Sequence, residues 1–110
     1  MSLLALSIPQ MRALLSAYEL NYGFEVEEDG RYAGSIEEID LIVADGSCLE
    51  ELRMNLALHL IAYAKDFMSN FHHYASAPNT KKHVPYVLRI LIEDSMDAVV
   101  SMLHGDAEME

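Results

Sequence analysis

The chain has 110 residues, 52% of them hydrophobic, and sets 18 acidic residues against 7 basic ones for a net charge of −11. That length suits one domain around one core, and so apolar a composition excludes a disordered acidic tail. The charge argues against a duplex-binding domain, since phosphate contacts need a basic face, and it steers the protein toward basic partners.

In chain order, "SIPQMRALLSAYEL" offers Ser7 as N-cap, Gln10 three residues on and Pro9 in the first turn. Ile8, Met11, Leu14, Leu15 and Tyr18 form one helical stripe, so a helix is expected over 8–20. The period then changes: Tyr22, Phe24 and Val26 alternate with Gly23, Glu25 and Glu27, as in a half-buried strand. Asp29-Gly30 is a hairpin turn signal before Tyr32, and "IDLIVAD" reads as a third strand. Three short strands within 22–45 imply an antiparallel meander that needs a cover on one face.

The cover follows. Ser47 and Glu50 suggest a second capping box, and no Gly or Pro interrupts "CLEELRMNLALHLIAYAKDFMSNF". Leu49, Leu52, Leu56, Leu60, Tyr63, Phe67 and Phe71 recur at threes and fours, predicting a long helix over 47–71. "SNFHHYASAPNT" reads as a loop, then helical spacing resumes over 83–93 with Pro85 in the first turn. Ser95 caps a last short helix over 95–103, with Gly105 as its stop. The expected fold over 1–110 is a single α+β domain: a three-stranded antiparallel meander covered by a long helix, with additional short helices.

Nothing in the residue pattern points to catalysis. The lone Cys48 excludes an intramolecular disulfide, makes a reducing cytoplasm the default, and has acidic neighbours that disfavour its thiolate. No stretch is long and apolar enough for a membrane span, and "MSLLALSIPQ" lacks a positive start and a cleavage site. His72 and His73 diverge by about 100° on a helix, and no third ligand accompanies them, so no metal is expected. No Gly-rich loop follows a strand to cradle phosphate, so no cofactor is expected either.

Two adjacent lysines, Lys81 and Lys82, open the apolar run "KKHVPYVLRILIED". The helix dipole repels positive charge at this end, so helix stability does not account for them. They serve either a salt bridge to "SIEEID" or to the first turn of the long helix, or a partner, with Arg89 about two turns further on. Candidate partner-binding residues are therefore Lys81, Lys82 and Arg89, with Glu37 and Glu38 from the acidic segment.

The run "DGRYAGSIEEIDLIVADGSCLEELRMNLALHLIAYAKDF", followed by "SAPNTKKHVPYVLRIL", resembles small bacterial antitoxins of the RelE/RelB-type toxin–antitoxin class over residues 29–92. The second block, with "APN" and then "HVPYV", is the more specific. The strand–strand–strand–helix layout is also similar to that of HicB-like antitoxin domains. The resemblance implies a cytoplasmic, non-enzymatic protein that binds and neutralises a small basic RNA-cleaving toxin. A self-associating structural or regulatory domain, dimeric through one helix face, is the alternative. "SIPQMRALLSAYELNY" holds one short helix and cannot be a helix-turn-helix, so direct nucleic-acid binding is not expected.

Overall fold

In the computed structural model, which describes residues 7–93 and 95–105, the chain opens with α1 (Ile8–Leu15), β1 (Leu20–Val26), β2 (Tyr32–Ile36) and β3 (Val43–Gly46). It continues through α2 (Leu49–Ser69), α3 (Phe71–Ser76), a 3-10 turn (Lys81–His83), α4 (Val84–Glu93), α5 (Met96–Ser101) and β4 (Leu103–Gly105). Both halves of the first capping box form: the Gln10 amide donates to Ser7 Oγ at 3.3 Å, and the Ser7 amide donates to Gln10 Oε1 at 2.8 Å. α1 stops at Leu15, short of the expected 20, because fully buried Leu20 belongs to the sheet.

The sheet corrects the expected architecture. It is four-stranded and mixed, in the order β3-β2-β1-β4, rather than a three-stranded antiparallel meander. β1, β2 and β3 do pair antiparallel, with Gly30 (φ 86°) making the first turn, where a side chain would be strained. The fourth strand comes from the far end of the chain and runs parallel to β1, placing Leu103 beside Leu20 and Gly105 beside Tyr22. Three residues are too few to show a strand period, so this edge has no signal in the sequence. Gly105 ends that strand rather than the last helix, and a Cβ there would run into the Tyr22 ring. "IDLIVAD" is likewise mostly not strand: buried Ile39 and Ile42 anchor a bend whose middle residues are exposed, and the pairing with β2 proper starts at Val43.

α2 supplies the cover. Leu52, Leu56, Leu60, Tyr63 and Phe67 are buried at helical spacing, and each apolar side chain so buried contributes about 1.5–3 kcal/mol. Its start differs from the expected capping box. Cys48 is the N-cap and makes no side-chain cap, while the Ser47 amide and hydroxyl both donate to Glu51. Glu50 and Glu51 in the first turn suit the positive end of the dipole. Gly34 and Gly46 let the helix lie close on the sheet, since a Cβ at either would press on Leu52.

α4 and α5 pack on α2, and α1 packs on α4. Part of the stretch read as a loop is α3, whose Tyr74 stacks on Phe67 at 5.1 Å between ring centres. Ser95 caps α5, accepting from the Ala98 amide at 3.1 Å.

Candidate functional site

Strand alternation divides the sheet into two faces with different chemistry. Tyr22, Gly34 and Ile36 face the helices. The opposite parity, Gly23 and Glu25 from β1, Ala33 and Ser35 from β2, and Val43 and Asp45 from β3, lines a broad shallow depression of about 730 Å³. The pairing sets these residues in rows: Gly23 beside Ser35 beside Val43, then Glu25 beside Ala33 beside Asp45. The floor is made of small side chains and the rim carries acids.

The ladder extends past the strand ends. The Glu27 amide donates to the Arg31 carbonyl at 2.7 Å, and the Glu37 amide donates to the Asn21 carbonyl at 2.8 Å. By the same alternation Glu27, Arg31 and Glu37 project on the open side. Glu37 reaches inward, so that a Cβ at Gly23 would lie 3.9 Å from its Oε1. Arg31 stands 3.4 Å from Asp45 and 4.0 Å from Glu51. Glu25, Glu27 and Glu37 are exposed and enter no ion pair among the described residues.

Both edges of this sheet are engaged by α2. The Ile36 amide bonds the Ile42 carbonyl at 3.0 Å, so by antiparallel alternation the Val43 and Asp45 carbonyls point away from β2. His59 Nδ1 donates to the first at 2.8 Å and Asn55 Nδ2 donates to the second at 2.8 Å. At the other edge, Arg53 donates to the carbonyls of Val100 (3.0 Å) and Leu103 (3.4 Å) and sits 5.9 Å from the Tyr22 ring centre.

The five candidates from the sequence fall into different roles. Arg89 donates to the Tyr18 carbonyl at 2.6 Å and so fastens the end of α1 to α4. Glu38 accepts from the Asn21 amide and from Asn21 Nδ2, both at 2.7 Å, clasping β1. Those two side chains are engaged internally. Glu37 stands on the open face, with its carboxylate unpaired among the described residues.

Lys81 and Lys82 are exposed on the 3-10 turn and enter no ion pair with a described residue, so the salt-bridge alternative finds no partner there. The turn is held from beneath. His83 is buried, its Nδ1 lies 2.8 Å from the Tyr63 hydroxyl, and Thr80 Oγ1 donates to the Tyr74 carbonyl. Burial pushes the His83 imidazole below its ordinary value of 6.5, Lys82 pushes the same way, and Asp40 opposes. Burial also drives the Tyr63 phenol up to about 12, helped by Tyr74 and Asp66.

Glu25, Glu27, Ala33, Ser35 and Asp45 were missing from the sequence candidates. Their signal was present in the strand alternation, but which parity α2 would cover is decided by tertiary packing. No group of three or more His, Cys, Asp or Glu is placed to hold a metal among the described residues, and His72 and His73 are exposed on α3. No described helix is long and apolar enough to cross a membrane.

An acidic α+β domain that leaves one face of its sheet open has the build of a protein-binding module. Residues 2–105 match the family described as PHD-like, antitoxin of toxin–antitoxin systems of the RelE/RelB kind, and the chain belongs to that family. It is an antitoxin and not an enzyme, and its partner is a toxin. The fold is similar to a crystal structure of the antitoxin part of a proposed toxin/antitoxin system from Syntrophomonas wolfei subsp. wolfei. That similarity has a TM-score of 0.83 at 31% identity, and covers 91% of this chain and 71% of the other. No curated protein matches the chain in sequence.

Proposed function

We propose that this antitoxin acts in the cytoplasm by binding and neutralising a small, basic, RNA-cleaving toxin. The observation that carries the reading is the carboxylate set Glu25, Glu27 and Glu37 on the uncovered sheet face, without an ion pair among the described residues, in a chain of net charge −11. Complementary charge raises association rate and selects partners. The cations do not favour nucleic acid. Arg12 pairs with Glu93, Arg31 with Asp45, and Arg53 and Arg89 bond carbonyls, which leaves Lys65, Lys81 and Lys82 without such partners among the described residues. Strand addition at an edge is disfavoured, because α2 side chains already engage edge carbonyls on both sides.

The test is a native pull-down of the tagged protein from its own host at low salt, with mass spectrometry of the eluate. A small basic protein recovered near one-to-one, released by salt and shown to cleave RNA until the antitoxin is added back, is the expected result. Recovery of the bait alone would overturn the reading.

Homodimerisation is a second reading with its own observation. α2 leaves Met54 (45% exposed), Leu58 (52%) and Met68 (41%) on its outer side, a stripe suited to an isologous contact. Light scattering across concentration measures it, and Leu58→Glu is expected to yield monomer.

A further inference from the structure

We infer that the toxin docks on the open face of the β1-β2-β3 sheet, and that the docking element is a helix whose contact side carries arginine or lysine. This rests on the toxin-binding reading above and adds to it a surface and a mode.

The surface is chemically unlike the rest of a sheet built for burial. Its centre is Gly23, Ala33 and Ser35, side chains too small to cover the backbone, while the opposite parity carries Tyr22 and Ile36 into the core. A face that merely met water would gain solubility from longer polar side chains in the middle. Here the long side chains stand at the periphery: Glu25 and Glu27 along β1, Glu37 at the end of β2, and Val43 and Asp45 on β3. Small residues in the centre let an incoming element approach the strands closely.

Size selects the shape of that element. Three strands spaced about 4.7–4.9 Å apart make a floor roughly 10 Å across, the width of a helix with its side chains. An extended segment would prefer a free strand edge, and the outward carbonyls of Val43 and Asp45 are already taken by His59 and Asn55.

Charge selects the sign. Of the four carboxylates on this side, Asp45 is balanced by Arg31 at 3.4 Å, whereas Glu25, Glu27 and Glu37 have no internal counter-ion among the described residues. A cationic helix laid across the floor gains these opposite-sign contacts together. Val43, 57% exposed, offers an apolar contact beside the β3 row.

The experiment measures binding of the toxin, identified by the pull-down and purified separately, to the full-length antitoxin by biolayer interferometry. The variants are Glu25→Lys with Glu37→Lys, which reverses two rim charges, and Ala33→Tyr, which fills the floor. His72→Ala, exposed on α3 and away from both the sheet face and the outer stripe of α2, is the control, and the thermal midpoint of each variant checks folding. The expected result is at least ~10-fold weaker binding for both face variants, a shallower salt dependence for the charge variant, and no change for the control. Should Ala33→Tyr fail to fold, the charge variant decides, since both its positions are exposed. Wild-type binding that survives both changes within twofold overturns the docking surface while leaving the toxin-binding reading intact. Hydrogen exchange on the wild-type complex gives an independent answer: slowed exchange confined to α2 or to the Lys81–His83 turn, with β1 to β3 unaffected, also overturns it. Absence of any toxin from the pull-down removes both readings together.

Discussion

The hydroxyl of Tyr63 lies 2.8 Å from Nδ1 of His83, and this pair joins the middle of α2 to the turn that carries Lys81 and Lys82. His83 is 1% exposed and its Nε2 has no hydrogen-bond partner among the described residues, so the Tyr63 contact is what satisfies the ring. Tyr63→Phe keeps the packing and removes that bond. It is expected to cost about 1–3 kcal/mol, the penalty for a buried polar group left unpaired. Urea unfolding of the two proteins measures it, and a difference below ~0.5 kcal/mol would show that the contact is dispensable.

The same histidine makes stability depend on pH. Its folded-state pKa lies below the unfolded value of 6.5, chiefly through burial and secondarily through Lys82, against the pull of Asp40. The unfolded chain therefore binds more protons in the window below 6.5. The contribution is fully present above that value and is lost as pH falls from it toward the folded-state pKa. Thermal midpoints recorded from pH 8 to pH 5 are expected to fall more steeply for the wild type than for His83→Gln. Parallel curves would assign the slope to other groups.

Two glycines of one sheet make opposite predictions. A Cβ at Gly34 would lie 2.8 Å from the Gly23 carbonyl oxygen and 3.0 Å from Leu52 Cδ2, so Gly34→Ala forces β2 off the helix. A loss of about 1–3 kcal/mol is expected. At Gly23 the nearest atom is Glu37 Oε1 at 3.9 Å, on the open side. Gly23→Ala is expected to be neutral or to gain ~0.4–1 kcal/mol by restricting the unfolded chain. Chemical denaturation of both variants checks the contrast, and equal losses would mean that the open face is covered in solution.

Asn55 and His59 are expected to protect the β3 edge from pairing with another chain. Replacing both with alanine frees the outward carbonyls of Asp45 and Val43. Stability should fall by about 0.5–1.5 kcal/mol per bond, and self-association should rise with concentration in light scattering. A variant that stays as dispersed as the wild type would show that the edge needs no guard.

Where the sequence was legible, a short-range rule was at work. The Ser7–Gln10 box, the Asp29–Gly30 turn and the stripe of α2 from Leu52 to Phe67 are local patterns that stand in the structure where their residues put them. Phe71, expected on the same stripe, instead opens α3 and is exposed. β4 is not local: Leu103 becomes a strand only because Leu20 is there to pair with it, and three residues carry no period of their own. The capping of α2 by Ser47 failed for a related reason, since Glu51 captured both the hydroxyl and the amide of that serine. Of the five candidate site residues, Arg89 and Glu38 bond partners 71 and 17 positions away, distances over which composition and spacing say nothing.

Lys81 and Lys82 pose the last test, because their position contradicts helix electrostatics and no described carboxylate compensates it. Their charge lies at the positive end of α4, where an exposed cation costs about 0.3–1 kcal/mol and an anion gains as much. Lys81→Glu with Lys82→Glu should therefore leave the thermal midpoint unchanged or raise it slightly, since no ion pair is broken. Removing the Lys82 charge also relaxes the His83 imidazole toward its ordinary value, so the acid-side loss of stability should shrink. A loss of more than about 1 kcal/mol on charge reversal would instead place a structural ion pair at these lysines. Unchanged or higher stability, combined with weaker toxin binding, would give the pair a partner-facing role that the buried His83 beneath them holds in place.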